Sequence, residues 1–262
     1  MLERIRIVLT GTSHPGNIGG TARAMKNMGL GDLILVAPRG EARSAEAISR
    51  ASGADDLLAR APVVDTLEDA VGDCSLVVGA SARSRNLPWP MISPRELGAR
   101  LPGELASGDS RVALVFGRED TGLTNAELQR CHAHVHIPSN PDFSSLNLVT
   151  AVQVLAYECR LAWLGENTPA ATTGAPKHDE TQPFTIDEGD RDPLASHADL
   201  ERLFEHMEEV LIAIDFHDPD TPRQLMARLR RLFLRARPDQ MEVNILRGML
   251  TAMEKRAKAS AG

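Results

Sequence analysis

Arg23, Glu119, Ser145 and Asn147 are the side chains of this 262-residue chain best placed by type and spacing to do chemistry. They fall in three segments far apart in sequence: Thr12–Arg23 (TSHPGNIGGTAR), Val115–Leu123 (VFGREDTGL) and Ile137–Leu148 (IPSNPDFSSLNL). Each segment follows an apolar run and is rich in Gly, Asn, Ser or Pro. A guanidinium can clamp a phosphate or steady a developing oxyanion, and a carboxylate can accept hydrogen bonds from loop amides. Each residue also has a structural reading. Arg23 can simply tie its loop down, Asp120-Thr121-Gly122 is good turn chemistry that would leave Glu119 exposed, and Ser144 or Ser145 can cap a helix. Asn17 opens the first segment's Gly-rich stretch, which is neither a phosphate-binding GK[ST] loop nor a G-x-G-x-x-G turn.

The elements that must position these residues are strands alternating with helices. Residues 4–10, 30–38, 63–64, 74–81, 111–117 and 134–138 carry strand patterns, several apolar on both faces. Helical spacing is predicted over 19–29, 44–60, 66–71, 125–131 and 146–163, with Gly29 stopping the first and Thr124 or Asn125 capping the fourth. This pattern predicts an α/β fold, a mainly parallel sheet with helices on both faces. Polar loops at the ends of such strands are where open sheets hold ligands. Residues 1–164 form this domain, and 165–195 a Gly-, Pro-, Thr- and acid-rich linker. From 196 to 262 amphipathic helices predict a small α-helical C-terminal module.

Composition bounds the rest. The net charge is −7, but residues 177–220 hold 14 acidic and 3 basic residues, leaving 22 acidic and 26 basic elsewhere. Residues 223–237 carry six Arg and no acid, including Arg228, Arg230, Arg231 and Arg235, a stretch suited to a nucleic-acid backbone. Three dispersed cysteines, no basic and apolar leader and no long apolar run point to a cytoplasmic protein off the membrane. His132, His134 and His136 alternate as on one strand face, without a carboxylate or Cys to complete a metal set, so no metal is expected. The loop Ser81-Ala82-Arg83-Ser84-Arg85, followed by Trp89, can meet a phosphate and a base, or be covered by a second subunit.

Taken together, Asn17-x-Gly19-x-x-x-Arg23, Val115 to Leu123 and Ile137-Pro138 to Asn147 resemble the three ordered motifs of SPOUT-class RNA methyltransferases of the TrmH-like branch. SHPGNIGGTARAMKNMGL, SARSRNLPWP and LRRLFLRARP are similar, within that branch, to tRNA 2′-O-methyltransferases that modify nucleotide 32 of the anticodon loop. The resemblance implies a trefoil knot in the C-terminal part of the sheet, a homodimer, and S-adenosylmethionine held by Ala80, Ser81, Ala82, Gly117, Ile137, Ser144, Ser145 and Leu146. It implies methyl transfer to a tRNA ribose hydroxyl without metal. Arg23 would clamp the phosphate and hydroxyl, Glu119 orient Arg23 or the loop, and Ser145 and Asn147 place substrate or loop. Asn17, Arg23, Arg83 and Arg85 would meet RNA, together with the arginines of 223–237. Methylation of ribosomal RNA or another tRNA position, and a non-catalytic RNA-binding protein, remain the alternatives. A dinucleotide-dependent dehydrogenase lacks its fingerprint here.

Overall fold

The structure, a computed structural model, describes residues 1–81, 90–167 and 193–260. In chain order the first half holds β1 (Ile5–Thr10), α1 (Pro15–Met28), β2 (Asp32–Val36), α2 (Ala45–Ala51), α3 (Asp55–Arg60), β3 (Val63–Val64), α4 (Leu67–Val71) and β4 (Leu76–Ala80). There follow β5 (Met91–Ile92), α5 (Pro94–Glu104), β6 (Val112–Phe116), α6 (Asn125–Gln129), β7 (Ala133–Val135) and α7 (Leu148–Asn167). The C-terminal helices are α8 (His197–Ala213), α9 (Leu225–Ala236) and α10 (Gln240–Ser260).

The strands form one sheet in the order β3-β2-β1-β6-β4-β7-β5, and every pair is parallel. Alternation along β1 sends Ile5, Ile7 and Leu9 into one core with Ile18 and Met25 of α1, Leu97 of α5 and Leu155 of α7. Val8 goes to the opposite face with Leu67 and Val71 of α4, Val115 and Leu128. Both faces are therefore covered, as strands apolar on two sides require. Burying each such Leu or Ile stabilises the fold by about 1.5–3 kcal/mol before entropy is counted. Among the described residues, no helix is long and apolar enough to cross a membrane. The three cysteines are buried free thiols, and burial pushes each up to about 12, so none is a nucleophile near neutrality.

The first helix begins earlier than the sequence pattern predicts. His14 caps it through Nδ1, which accepts from the Gly16 amide at 3.2 Å, and Pro15 fills the first helical position, where its missing N–H costs nothing. The Gly-rich stretch is thus helix, not loop. Its glycines serve helix packing: a Cβ on Gly19 would lie 2.0 Å from the Ala47 carbonyl oxygen of α2, and one on Gly20 2.8 Å from Val149 Cγ2 of α7. The strand predicted over 30–38 is confined to Asp32–Val36, and that predicted over 134–138 is shorter and starts one residue earlier, at Ala133–Val135. β5 and α5 have no counterpart in the sequence reading.

α8, α9 and α10 enclose their own core of Leu203, Phe204, Val210, Leu234, Val243 and Leu250. This module docks on the sheet domain through the start of α8. The His197 and Ala198 amides, which a helix N-terminus leaves unpaired, donate to the Cys74 and Gly72 carbonyls at 3.0 and 3.2 Å. Arg237 adds a two-pronged pair to Glu104 at 2.9 and 2.6 Å. Most of the linker expected at 165–195 lies outside the described residues; α7 runs on to Asn167, and the Pro193 carbonyl already accepts from Gln240 N at 3.0 Å.

Candidate active site

Because all strands are parallel, the C-terminal ends of the adjacent β6, β4 and β7 open on one edge of the sheet. A cavity of about 480 Å³ lies there. Its walls are Ala80 at the end of β4 and Ser81 after it, Phe116 at the end of β6 and the turn on to Leu123, Val135 of β7 and Ile137 beyond it, Ser144 to Leu146 ahead of α7, and Leu148 and Ala151 within α7. The turn after β6 is tight. Arg118 and Gly122 exchange backbone hydrogen bonds at 3.2 and 2.9 Å, Gly122 has φ +69°, and a Cβ on Gly117 would lie 2.1 Å from the Gly122 carbonyl carbon. Only glycine fits at 117, so backbone rather than side chain faces the cavity there.

Glu119 lines this cavity and reaches out of it to the start of α1. Its carboxylate accepts from Ser13 N and Oγ, both at 3.1 Å, from His14 N at 3.2 Å and from Asn17 Nδ2 at 3.0 Å. Partial burial pushes the Glu119 carboxyl up, but the bonds from Asn17, Ser13 and His14 outweigh it and hold it down at about 2. Asn17 Oδ1 in turn accepts from Asn147 Nδ2 at 3.4 Å, and Asn147 Oδ1 accepts from Val149 N at 2.9 Å. Glu119, Asn17 and Asn147 thus join all three segments in one hydrogen-bonded chain.

Comparison with known proteins gives the arrangement a family. Residues 4–157 match the SpoU rRNA methylase family, and residues 198–262 match the C-terminal domain of the tRNA methyltransferase TrmJ. A tRNA (cytidine/uridine/adenosine-2′-O-)-methyltransferase TrmJ from Pseudomonas aeruginosa (strain UCBPP-PA14) is 52% identical over 98% of this chain and 96% of its own length. A tRNA (cytidine/uridine-2′-O-)-methyltransferase TrmJ from Cronobacter sakazakii (strain ATCC BAA-894) is 54% identical over 97% of both. The chain belongs to the TrmJ family. The crystal structure of TrmJ from Z. mobilis ZM4 superposes with a TM-score of 0.77 at 31% identity, covering 95% of this chain and 98% of that one.

Set beside the TrmJ family expectation, Ala80, Ser81, Gly117, Ile137, Ser144, Ser145 and Leu146 all line the cavity. Ala82, Arg83, Arg85 and Trp89 lie outside the described residues. Glu119 does hold the first segment, but through loop amides and Asn17 rather than through Arg23. Arg23 is exposed on α1 and is not part of the cavity wall. The cap of α7 is Asn147, not a serine, because the helix begins at Leu148; Ser144 and Ser145 stay free to face the cavity.

Sequence reasoning passed over Arg118, whose guanidinium packs under Gly11 and makes a two-pronged pair with Glu127 at 3.0–3.2 Å. Its neighbour Glu119 drew the chemical reading, yet Arg118 is what fixes the turn that carries Glu119. The three alternating histidines are fastened to backbone. His132 Nδ1 accepts from Val77 N at 3.0 Å, His134 Nε2 meets the Leu128 carbonyl at 3.0 Å, and His136 Nδ1 the Ser81 carbonyl at 3.2 Å. On α9, Arg228 and Arg235 are exposed and Arg231 shares their face at helical spacing. Arg230 instead pairs with Glu201 at 2.6 Å and lies 4.6 Å over the Phe204 ring.

Proposed function

We propose that this chain transfers a methyl group from S-adenosylmethionine to the ribose 2′-hydroxyl of cytidine or uridine at nucleotide 32 of a tRNA anticodon loop. The observation that carries the reading is Glu119, which walls the cavity and also holds the segment leading to Arg23. Cofactor pocket and acceptor-side arginine are thereby set relative to each other by one carboxylate. The cavity volume falls within the range of cofactor sites. Its wall is backbone at Gly117 and apolar at Phe116, Leu123 and Leu146, with the carboxylates of Glu119 and Asp120 at hand, a lining that suits a nucleoside carrying a sulfonium cation.

The cofactor would supply an electrophilic methyl group; the chain's task is to orient the hydroxyl, steady its charge and exclude water. Arg23 would clamp the adjacent phosphate and the hydroxyl oxygen as negative charge develops there. Ser145, exposed at the cavity, would place the ribose, and Asn147 would hold α1 and α7 in register. Arg228, Arg231 and Arg235 would contact the tRNA backbone, with Arg83 and Arg85. The family's trefoil knot, a cytoplasmic homodimer and catalysis without a metal belong to the same reading. The exposed Tyr157 and Leu164 of α7 offer apolar surface to a second copy.

The test is methyl transfer from labelled S-adenosylmethionine into total tRNA, followed by mapping of the modified nucleotide. A 2′-O-methyl group at nucleotide 32 is the expected result. Transfer to another position, or to ribosomal RNA, would move the substrate assignment; failure to bind the cofactor would overturn the site.

A further inference from the structure

Phe143 is the most exposed of the large hydrophobic side chains described, at 81%. A bare phenyl ring on the surface forgoes the gain of burial, so its place needs a reason. The backbone beneath it is fixed. Phe143 ends a short 3-10 turn (Pro141–Phe143) in which Asn140 Oδ1 accepts from Asp142 N and the Asn140 carbonyl from Phe143 N, both at 3.0 Å. Ser139 Oγ closes the same loop on the Ser144 carbonyl at 3.0 Å. The next three residues, Ser144, Ser145 and Leu146, are cavity wall. A hydrogen-bonded turn therefore presents an aromatic ring one residue from the cavity wall.

We propose that the Phe143 ring is the platform on which the nucleobase of the methyl-accepting nucleotide stacks. This rests on the functional reading above and extends it to base recognition. The base hangs from the same ribose whose 2′-hydroxyl must enter the cavity mouth, so it comes to lie beside the cavity wall. A phenyl face has no polar atom to read a base edge, and stacking serves any base. That matches an enzyme that takes both cytidine and uridine, for which edge-reading side chains would discriminate against one of them.

The experiment uses the full chain with tRNA transcripts carrying cytidine, uridine or an abasic ribose at nucleotide 32. Phe143→Ala should lower kcat/KM about 5- to 150-fold, equally for cytidine and uridine, as expected for loss of one stacking aromatic. Phe143→Trp should stay within a few-fold of the parent, while Phe143→Leu, similar in bulk but unable to stack, should resemble alanine. The abasic tRNA should bind the parent and Phe143→Ala equally well. Affinity for S-adenosylmethionine and mass by light scattering should not move. The proposal is overturned by an unchanged Phe143→Ala, or by an equal loss of binding on the abasic tRNA. A weakened cofactor affinity, making the ring a lid, or a shift to monomer, making it a subunit contact, would overturn it too. If the parent methylates no tRNA, the functional reading itself falls, an outcome separate from all of these.

Discussion

A carboxylate that accepts four hydrogen bonds from one segment, Ser13 to Asn17, cannot be replaced by an amide without loss, because an amide offers one accepting atom and turns a donor toward the others. Glu119→Gln should therefore lower kcat/KM about tenfold or more, with Ser13, His14 or Asn17 losing its acceptor, measured at saturating and limiting tRNA. The pH dependence follows from a carboxyl held at about 2 against its ordinary 4.5. Its contribution, about 1 kcal/mol once solvent screening at this exposed site is allowed for, is complete above pH 4.5 and lost as pH falls through about 2. Denaturation followed across that window in the parent and in Glu119→Gln checks it: only the parent should show this acid limb. At Arg23 the prediction turns on the guanidinium fork. Arg23→Lys should cost 10²- to 10³-fold in kcat, the loss typical of a removed oxyanion donor, and near-normal turnover with a flat pH–rate profile would exclude an Arg-specific role. Residue types in the three segments were enough to pick out Glu119 and Asn147. That Glu119 would accept from loop amides of the first segment was legible too; the link through Asn17 was not, since it depends on how three distant segments meet.

Elements account for the rest of what was and was not legible. β1, β4 and β6 are buried on both faces, so their apolar residues, interrupted in β1 by the buried Arg6, announced them. β5 has two residues and the first turn of α5 opens on Pro94, too little pattern to register, though Ser93 and Glu96 form a capping box that could have signalled the helix. The start of α1 was missed for a different reason: three glycines and an asparagine within five residues suggest a loop, whereas two of the glycines are there to let α2 and α7 approach. That reading makes a sharp prediction. Gly19→Ala puts a methyl group against the backbone of Ala47, which cannot rotate away, and should destabilise the protein by about 2–3 kcal/mol in denaturant melts. Gly31→Ala, with nothing within 4 Å of the added carbon, should stay within about 0.5 kcal/mol. Equal effects at the two positions would mean that α1 is not packed this closely.

At the scale of the whole molecule, two features of the helical module carry predictions, one on its docking to the sheet domain and one on its proposed contact with tRNA. The first is acid-sensitive. His197 is buried where α8 docks, its Nε2 3.0 Å from the Arg130 carbonyl and 3.8 Å from Glu201, its Nδ1 without a hydrogen-bond partner, and its ring 6.2 Å from buried His132. Burial lowers both histidines, against the pull of Glu201 and Glu68 on His197 and with Arg237 adding to the effect on His132. A depressed histidine contributes stability that is present above its ordinary 6.5 and lost as pH falls below it. The slope should be about 1 kcal/mol per pH unit, and His197→Gln should flatten it between pH 7 and 5. The second feature is the arginine face of α9. Sequence counted six arginines over 223–237 as one basic stretch, but the fold sorts them. Arg237 and Arg230 are committed to Glu104 and Glu201, while Arg228 and Arg235 are exposed with Arg231 beside them. Contacts to a phosphate backbone release counterions, so each one lost should reduce the slope of log affinity against log salt by roughly 0.7–0.9. Replacing Arg228, Arg231 and Arg235 together by alanine should weaken tRNA binding at low salt and flatten that slope by roughly 2–3. Arg230→Ala should leave the slope nearly intact and instead lower the melting temperature, since what it loses is the Glu201 pair and the Phe204 contact. If Arg230→Ala flattened the slope as much as the triple variant, Glu201 would have to surrender its arginine on binding, and the module would repack when tRNA arrives.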